Sequence, residues 1–299
     1  MCSPRLCEAG DKLVKHFSRV ALLCLAVLGI VVSSGVWQRV TAADWQGRKL
    51  PNLPTNFVFG YGSLINTASR NSSVAAPIAA IPVRVSAAFG YVRIWNDRSV
   101  SGFTALGLRK LNPGEAGRTI NGVLYPAEGA DMSSFDAREK GYVRVEVPLS
   151  QIEAVGWQRL PESGRVWTYI PVLPASQGGT GIPGQGLPGP DPSYPLLQSY
   201  LDVVVEGGLE YGPDFAREIL ETTDGWSRYW LNDRELARRP WVHDPRSDAV
   251  DALLTETPAS AARFRSRAFP EIYGTRLRAG RSSARHGADA QPHAGRHRC

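Results

Sequence analysis

The chain has 299 residues, of which 43% are hydrophobic and 21% charged, so it can bury a full-sized core. The net charge of +6 is uneven: nine arginines and two acidic residues from Arg263 onward give +7 there, which leaves −1 for the rest. A folded part without a basic excess argues against nucleic-acid binding. The cysteines (Cys2, Cys7, Cys24 and Cys299) exclude a core disulfide, a thiolate nucleophile and a cysteine-based zinc site.

Residues 1–43 are predicted to be an N-terminal signal peptide or signal anchor. Basic residues precede about 13 apolar residues, Val20 to Val32, a run too short for a membrane span of roughly 17–25 residues but long enough for a signal-peptide core. Small residues suited to cleavage follow. The alternatives are a buried helix or a misassigned start, so the predicted location is exported or membrane-anchored, and cytoplasmic if the start is misassigned.

A strand that runs into a glycine-rich turn is predicted at residues 56–65. Phe57, Val58 and Phe59 favour a strand, and Gly60 and Gly62 then flank Tyr61. Glycines allow a sharp turn whose backbone N–H groups can approach a carboxylate or another small anion. From these residues alone, an ordinary turn at the end of a strand is the simpler interpretation.

Alternating β-forming residues predict six more strands, and helical spacing predicts three helices. The predicted strands are Ile81–Val85, Tyr91–Trp95, Phe103–Leu111, Thr119–Tyr125, Val143–Val147 and Val166–Leu173. The predicted helices are Asp131–Lys140, Leu196–Glu206 and Asp214–Thr222. This pattern indicates an α+β protein.

Glu139 lies near the end of the first predicted helix, where Gly141 stops it. A carboxylate at that position opposes the helix dipole, which disfavours the charged form and suits a base that needs a raised pKa. From the residues alone, a surface acid is the simpler interpretation. Of the five histidines only His243 could belong to the core, and it is interpreted as structural.

Glycine and proline alternate through residues 177–193, which predicts either a mobile flap or a linker into the helices. The domain itself is predicted to span residues 44–245. Residues 246–299 are predicted to form a basic, largely disordered tail.

Three segments in order resemble the γ-glutamylcyclotransferase-like family, which includes ChaC-type and AIG2-like proteins. Residues 59–64 read FGYGSL, as in the signature of the family. Residues 138–142 are similar to its RE…GY segment, and residues 194–226 to the helical part in which a Gly-Pro turn separates two helices. The resemblance implies a small mixed β-barrel or curved sheet flanked by helices, with a helical C-terminal part.

The resemblance also implies the activity: the α-amine of glutathione or another γ-glutamyl amide attacks its own γ-carbonyl and releases 5-oxoproline. Glu139 would be the general acid/base, with no metal and no cofactor. The implied substrate-binding residues are Tyr61, Gly62, Ser63, Leu64, Tyr142 and Arg98. The implied partner is a small γ-glutamyl compound. Asn66 replaces the aromatic residue that often follows GSL(I/V), so a strict preference for glutathione is not implied. The alternative function is a non-catalytic ligand-binding or structural module.

Overall fold

A computed structural model describes residues 44–45, 48–49, 54–234 and 245–269. The chain divides into two units between Leu53 and Pro54. In the first unit, Asp44–Trp45 and Arg48–Lys49 form a short antiparallel pair. The predicted signal segment, His243 and the residues after 269 lie outside the described part. Within that part, no helix has the length and apolar character needed to cross a membrane.

The second unit is built from short strands and six α-helices within its described residues. The strands are β1 (Asn56–Gly60), β2 (Ile81–Val85), β3 (Tyr91–Arg98), β4 (Thr104–Lys110), β5 (Ile120–Pro126), β6 (Tyr142–Val147), β7 (Ile152–Ala154), β8 (Arg165–Pro171), β9 (Leu196–Leu197), β10 (Thr223–Asp224) and β11 (Trp230–Leu231). The helices are α1 (Thr67–Asn71), α2 (Gly129–Arg138), α3 (Gln198–Leu209), α4 (Pro213–Glu221), α5 (Pro245–Glu256) and α6 (Pro258–Arg265). The predicted α+β class is confirmed, and the predicted strands and helices are present with small shifts at their ends.

The largest sheet has six strands in the order β6-β8-β1-β5-β2-β7. Its pairs are antiparallel except β8 and β1, which run parallel. The two edge strands, β6 and β7, are not paired with each other, so the predicted mixed sheet is confirmed but is open: of the two predicted forms, a barrel or a curved sheet, the closed barrel is wrong. The reason is that β3 and β4 leave this sheet and form a separate three-stranded sheet with β10.

A β-bulge interrupts the pairing of β3 with β4. Trp95 lies opposite Leu106, but the next pair is Asp97 with Ala105, so Asn96 is an extra residue. Bulges re-aim the side chains that follow them, and this one changes the directions of Asp97 and Arg98.

The helices cover the sheet with buried apolar side chains. On α2, Met132 and Phe135 are buried, and the Phe135 ring lies 5.2 Å from that of Tyr125 on β5. Helices α3 and α4 meet at Gly212, whose φ of 113° favours glycine, and Pro213 opens α4. The predicted helical pair around a Gly-Pro turn is therefore confirmed.

Two helices follow where a largely disordered tail was predicted to begin. Helices α5 and α6 bury Val250, Leu254 and Phe264, and the Phe264 ring lies 5.8 Å from that of Trp230. The prediction is wrong for residues 246–265, because apolar residues spaced along these helices supply a core contact that the weak periodicity of the segment concealed.

The Gly/Pro-rich segment lies along the free edge of β4. Lys110 donates its N–H to the Gly184 carbonyl at 3.1 Å, and just after the segment the Pro195 carbonyl accepts from the Thr104 N–H at 2.9 Å. Covering an edge in this way blocks pairing with another strand. None of residues 177–193 lines the pocket described below, so the structure supports the linker interpretation of this segment.

Candidate active site

A pocket opens where the glycine-rich turn, α2, β4, β8 and α3 meet. Its volume is about 320 Å³, counting the space at the mouth that is open to solvent. It is lined by Phe59, Gly60, Tyr61, Gly62, Ser63, Leu64, Leu106, Glu139, Tyr142, Tyr169 and Tyr200. The two motifs that the sequence separates by about 75 residues therefore contribute to one cavity.

The glycine-rich turn forms one wall because its backbone can pass close to its neighbours. A Cβ atom on Gly60 would lie 2.9 Å from that of Leu64, and one on Gly62 would lie 3.4 Å from the Tyr200 hydroxyl. A short 3₁₀ turn, Ser63–Ile65, follows, and its first bond joins the Ile65 N–H to the Gly62 carbonyl at 3.0 Å. The N–H groups of Ser63 and Leu64 precede that bond, so they resemble the donors at the start of a helix.

Glu139 is the carboxylate that lines the pocket. It follows α2 as the C-cap residue, and Gly141, with φ 94°, turns the chain into β6. The side chain is 15% exposed. Burial raises the pKa of Glu139 above its ordinary value, Arg138 opposes this by favouring the charged form, and the charge of Asp97 raises it further. A carboxyl group with a raised pKa can accept and return a proton near neutral pH.

Arg138 joins Glu139 to the glycine-rich turn. Its Nε lies 3.3 Å from Oε1 of Glu139, and Nη2 donates to the Ser63 hydroxyl at 3.2 Å. The same guanidinium donates to the Ser69 carbonyl, to Oγ of Ser69 at 2.8 Å and to Oγ of Ser73 at 2.9 Å. One side chain therefore connects the candidate base, the turn and α1.

Four tyrosines line the pocket, and three of them use their hydroxyl protons within the protein. Tyr61 donates to the Tyr169 carbonyl at 2.7 Å, Tyr142 to that of Leu106 at 2.9 Å, and Tyr169 to Asp136 at 2.9 Å. The hydroxyl oxygen of Tyr200 instead accepts a hydrogen bond from the Leu106 N–H at 3.4 Å, and the Ser63 side chain lies close to it. Because a phenol also carries one donor, the proton of Tyr200 is available to a bound molecule.

Asp97 is a part-buried carboxylate near this pocket that no sequence motif indicated. The bulge in β3 re-aims it, and the Tyr142 hydroxyl lies within hydrogen-bonding reach. Burial raises the pKa of Asp97 to about 6, and the nearby Tyr142 hydroxyl partly offsets this rise. The charge of Asp97 also acts on Tyr61, Tyr200 and Glu139.

Replacing Asp97 with asparagine is expected to stabilise the fold at neutral and alkaline pH. Its folded pKa lies above the ordinary value of 3.8, so the ionised group costs stability above pH 6, and this cost disappears as the pH falls below 4. The rise corresponds to at most about 3 kcal/mol, and partial exposure lowers our expectation to about 1–2 kcal/mol. Urea unfolding at pH 8 and pH 4 would measure it, and a stability difference that does not change with pH would contradict it.

The structure brings six of the seven predicted site residues together. Tyr61, Gly62, Ser63, Leu64, Glu139 and Tyr142 all line the pocket. Their roles in binding or catalysis stay predictions. Tyr200 and Asp97 were missed, because each depends on a contact between segments far apart in the chain, and Arg138 was recognised only as part of the RE…GY segment, without a role in the site.

Arg98 does not line the pocket. Its Nη2 lies 2.6 Å from Asp191, and its guanidinium carbon lies 4.6 Å from the centre of the Tyr194 ring. The bulge after Trp95 is the physical reason, because it shifts the alternation of β3 by one residue. Arg98 consequently holds the Gly/Pro-rich segment instead of facing the cavity.

No group of three or more His, Cys, Asp or Glu side chains in the described part of the chain is placed to hold a metal ion. The prediction that the chemistry needs neither metal nor cofactor stays a prediction.

The fold and the pocket define an α+β protein in which a largely buried glutamate and a glycine-rich turn line one pocket. No family model matches the chain, and no curated protein matches it either. The α+β class rests on the strands and helices of the chain itself.

Among solved structures, the chain is similar to one described as a γ-glutamyl cyclotransferase: 14% identity, 66% of this chain and 98% of that one, TM-score 0.40. An uncharacterized protein from Homo sapiens is also 14% identical, over 65% of this chain and 96% of its own, with a TM-score of 0.40. A yeast γ-glutamyl cyclotransferase described as specific to glutathione is 15% identical, over 65% and 95%, with a TM-score of 0.27. The neighbours thus include the family that the motifs resemble, at low identity.

Proposed function

We propose that this protein is a γ-glutamylcyclotransferase that converts glutathione or another γ-glutamyl amide into 5-oxoproline and a free amine or peptide. The observation that carries the proposal is the position of Glu139, a largely buried carboxylate that shares one cavity with the glycine-rich turn. The motif resemblance gives the reaction class, and the charges and donors of the pocket fit its steps.

The reaction is an internal aminolysis. The α-nitrogen of the substrate forms a bond to its own γ-carbonyl carbon, and the bond from that carbon to the amide nitrogen breaks. In total two protons leave the α-ammonium and the departing nitrogen gains two, so neither water nor a redox partner is consumed. Because the nucleophile is already tethered, holding the folded conformer can supply about 7–11 kcal/mol of the barrier.

Each proton step needs a carboxyl group near the reacting nitrogens. The α-ammonium is not a nucleophile until it loses a proton, and Glu139 is our candidate acceptor. The same group, once protonated, can return the proton to the leaving nitrogen. Such positioned acid–base catalysis contributes about 10²–10⁴-fold, and the raised pKa of Glu139 suits both directions.

Charge that develops on the γ-carbonyl oxygen needs donors aimed into the cavity. The Tyr200 hydroxyl and the N–H groups of Ser63 and Leu64 are our candidates for the oxyanion and for the substrate α-carboxylate. Between them, these three donors would bind both the oxyanion and the α-carboxylate.

The test is incubation of the full-length protein with glutathione, γ-glutamyl dipeptides and γ-glutamyl amines, followed by detection of 5-oxoproline by mass spectrometry. We expect cyclised product from at least one substrate, at rates unchanged by EDTA. Binding of these compounds without product would favour the non-catalytic module. A loss of activity in EDTA that zinc restores would show that the proposed site chemistry is incorrect.

A further inference from the structure

The peptide groups of the glycine-rich turn are bonded unevenly. Every carbonyl oxygen from Tyr61 to Ile65 accepts a hydrogen bond inside the protein. Those of Gly62 and Ser63 accept from backbone N–H groups three residues later, and guanidinium groups donate to those of Tyr61, Leu64 and Ile65. Within the described part of the chain, the N–H groups of Gly62, Ser63 and Leu64 have no such partner. The turn therefore offers donors and withholds acceptors.

Arg93 on β3 holds the start of the turn from the interior of the protein. Its side chain is completely buried. Nη1 donates to the Tyr61 carbonyl at 3.1 Å and to the Asn121 carbonyl at 3.0 Å. Nη2 donates to Oδ1 of Asn121 at 2.6 Å and to Oγ1 of Thr222 at 2.8 Å. Residues on β5 and after α4 thus fix the guanidinium, and the guanidinium fixes the Tyr61 carbonyl.

Arg70 on α1 holds the end of the turn in the same way. It is also buried, and its Nη1 donates to the Leu64 carbonyl at 3.1 Å and to the Ile65 carbonyl at 3.0 Å. Nη2 donates to Oγ1 of Thr67 at 3.1 Å, and the guanidinium carbon lies 5.5 Å from the centre of the Tyr125 ring. The two arginines therefore bind opposite ends of one turn.

The planar peptide bond links each bound carbonyl to the direction of the next N–H group. In a trans peptide the C=O and N–H groups point in opposite directions, and the described residues contain no cis peptide bond. The Tyr61 carbonyl points towards Arg93, which is not among the residues that line the pocket. The Gly62 N–H consequently points away from Arg93, and Gly62 itself lines the pocket.

We propose that Arg93 and Arg70 are positioning residues that fix the peptide groups of the glycine-rich turn, so that the N–H groups of Gly62, Ser63 and Leu64 face an anionic oxygen of a bound molecule. Only the identity of that molecule as a γ-glutamyl compound rests on the proposed function. Successive N–H groups form an anion-binding concavity, and donors that are already oriented need no reorganisation when the anion arrives. Arginine suits this role because its planar fork of donors can bind several carbonyls at once.

The orientation can be measured on a single peptide bond without any ligand. Protein labelled with ¹³C at the tyrosine carbonyl and ¹⁵N at glycine gives one NMR correlation peak for each Tyr–Gly pair. The sequence has three such pairs, at residues 61–62, 211–212 and 273–274. The 61–62 peak is assigned by its loss in Gly62→Ala. Arg93→Met should move this peak, because the Tyr61 carbonyl loses its donor, and should leave the 211–212 peak in place. Arg70→Met should leave the 61–62 peak in place, because Arg70 binds the other end of the turn.

The consequence for binding is tested with two carboxylates, acetate and 5-oxoproline. Each is titrated into the protein while the amide proton of Gly62 is followed, and both should shift it in the wild type. Arg93→Met and Arg70→Met should each raise both Kd values about tenfold or more, the effect of losing a hydrogen bond to a charged group. Arg93→Lys keeps the charge and a flexible donor, so it should recover part of the affinity.

The control for lost stability is Leu254→Ala, because Leu254 is buried on α5 and does not line the pocket. It should lower the melting temperature while the 61–62 peak and both Kd values stay as in the wild type. If Arg93→Met does not fold, Arg93→Lys serves the same test, because an ammonium group cannot reach all the acceptors that the guanidinium binds. Its 61–62 peak should also move.

A 61–62 peak that stays in place in the Arg93 variants would overturn the inference. So would a Gly62 amide that neither carboxylate shifts in the wild type, or Kd values that are unchanged in the variants of both arginines. A moved peak and weakened acetate binding, without any formation of 5-oxoproline from γ-glutamyl compounds, would contradict the proposed function alone.

Discussion

Replacing Glu139 with glutamine is expected to lower 5-oxoproline release by about 10²–10⁴-fold, the contribution of one positioned acid–base group. Glutamine keeps the shape of the side chain but cannot accept the proton of the α-ammonium. The fold should persist, because Arg138 retains its bonds to Ser63, Ser69 and Ser73. Product formation under saturating substrate, measured by mass spectrometry beside a thermal unfolding curve, would test both expectations.

The control for this variant is Glu146→Gln, the same change seven residues later in the chain. Glu146 lies on β6 with a side chain that is 46% exposed and pairs with Arg165 at 3.5 Å. It should behave as wild type in both measurements. Release from Glu139→Gln within tenfold of the wild-type rate would remove Glu139 from the mechanism.

Replacing Gly122 with alanine is expected to destabilise the domain by about 3 kcal/mol, at the upper end of the cost of overpacking a core. A Cβ atom there would lie 2.4 Å from the Gly60 carbonyl oxygen and 2.6 Å from the Phe59 ring. The backbone of β1 would have to move, and the glycine-rich turn that follows β1 would move with it. We expect a fall in melting temperature of about 6–12 °C and a loss of turnover in the fraction that folds.

Gly189→Ala is the matched control, since a Cβ atom at that position would meet nothing closer than the Trp95 carbonyl oxygen at 3.9 Å. Its stability should stay within about 0.5 kcal/mol of wild type, as for most surface substitutions. Urea unfolding of the two variants side by side gives the comparison. Equal stabilities would mean that β1 and β5 tolerate a wider separation than their contacts suggest.

The secondary structure was predictable because it follows from local patterns. The run Phe57 to Phe59 is buried as β1, and Met132 with Phe135 forms the buried face of α2, as their spacing indicated. Gly141 and the Gly-Pro pair at 212–213 end and begin helices as their backbone preferences require. The failures lie where local patterns are weak, as in α5 and α6, whose apolar residues matter only once α3 and α4 provide a surface for them.

The residues of the candidate site were likewise predictable only where a local pattern indicated them. Tyr61 to Leu64, Glu139 and Tyr142 were identifiable because they fall in short motifs. Arg98 was assigned to the pocket by the resemblance, but the bulge in β3 directs it elsewhere, and no local pattern predicts that bulge or the position it gives Asp97. Tyr200 lies on a helix about 60 residues after Glu139, and nothing near it in the chain indicates that its hydroxyl would meet Ser63.

The sequence by itself determined the α+β class, most of the elements and the residues of the two motifs, because propensity, periodicity and glycine placement act over a few neighbouring residues. Only the packing of distant segments determined that the sheet is open, that Glu139 shares a pocket with the glycine-rich turn, and that Arg138 joins Glu139 to that turn. Those features depend on distances between segments far apart in the chain, and electrostatic effects depend on such distances and on burial.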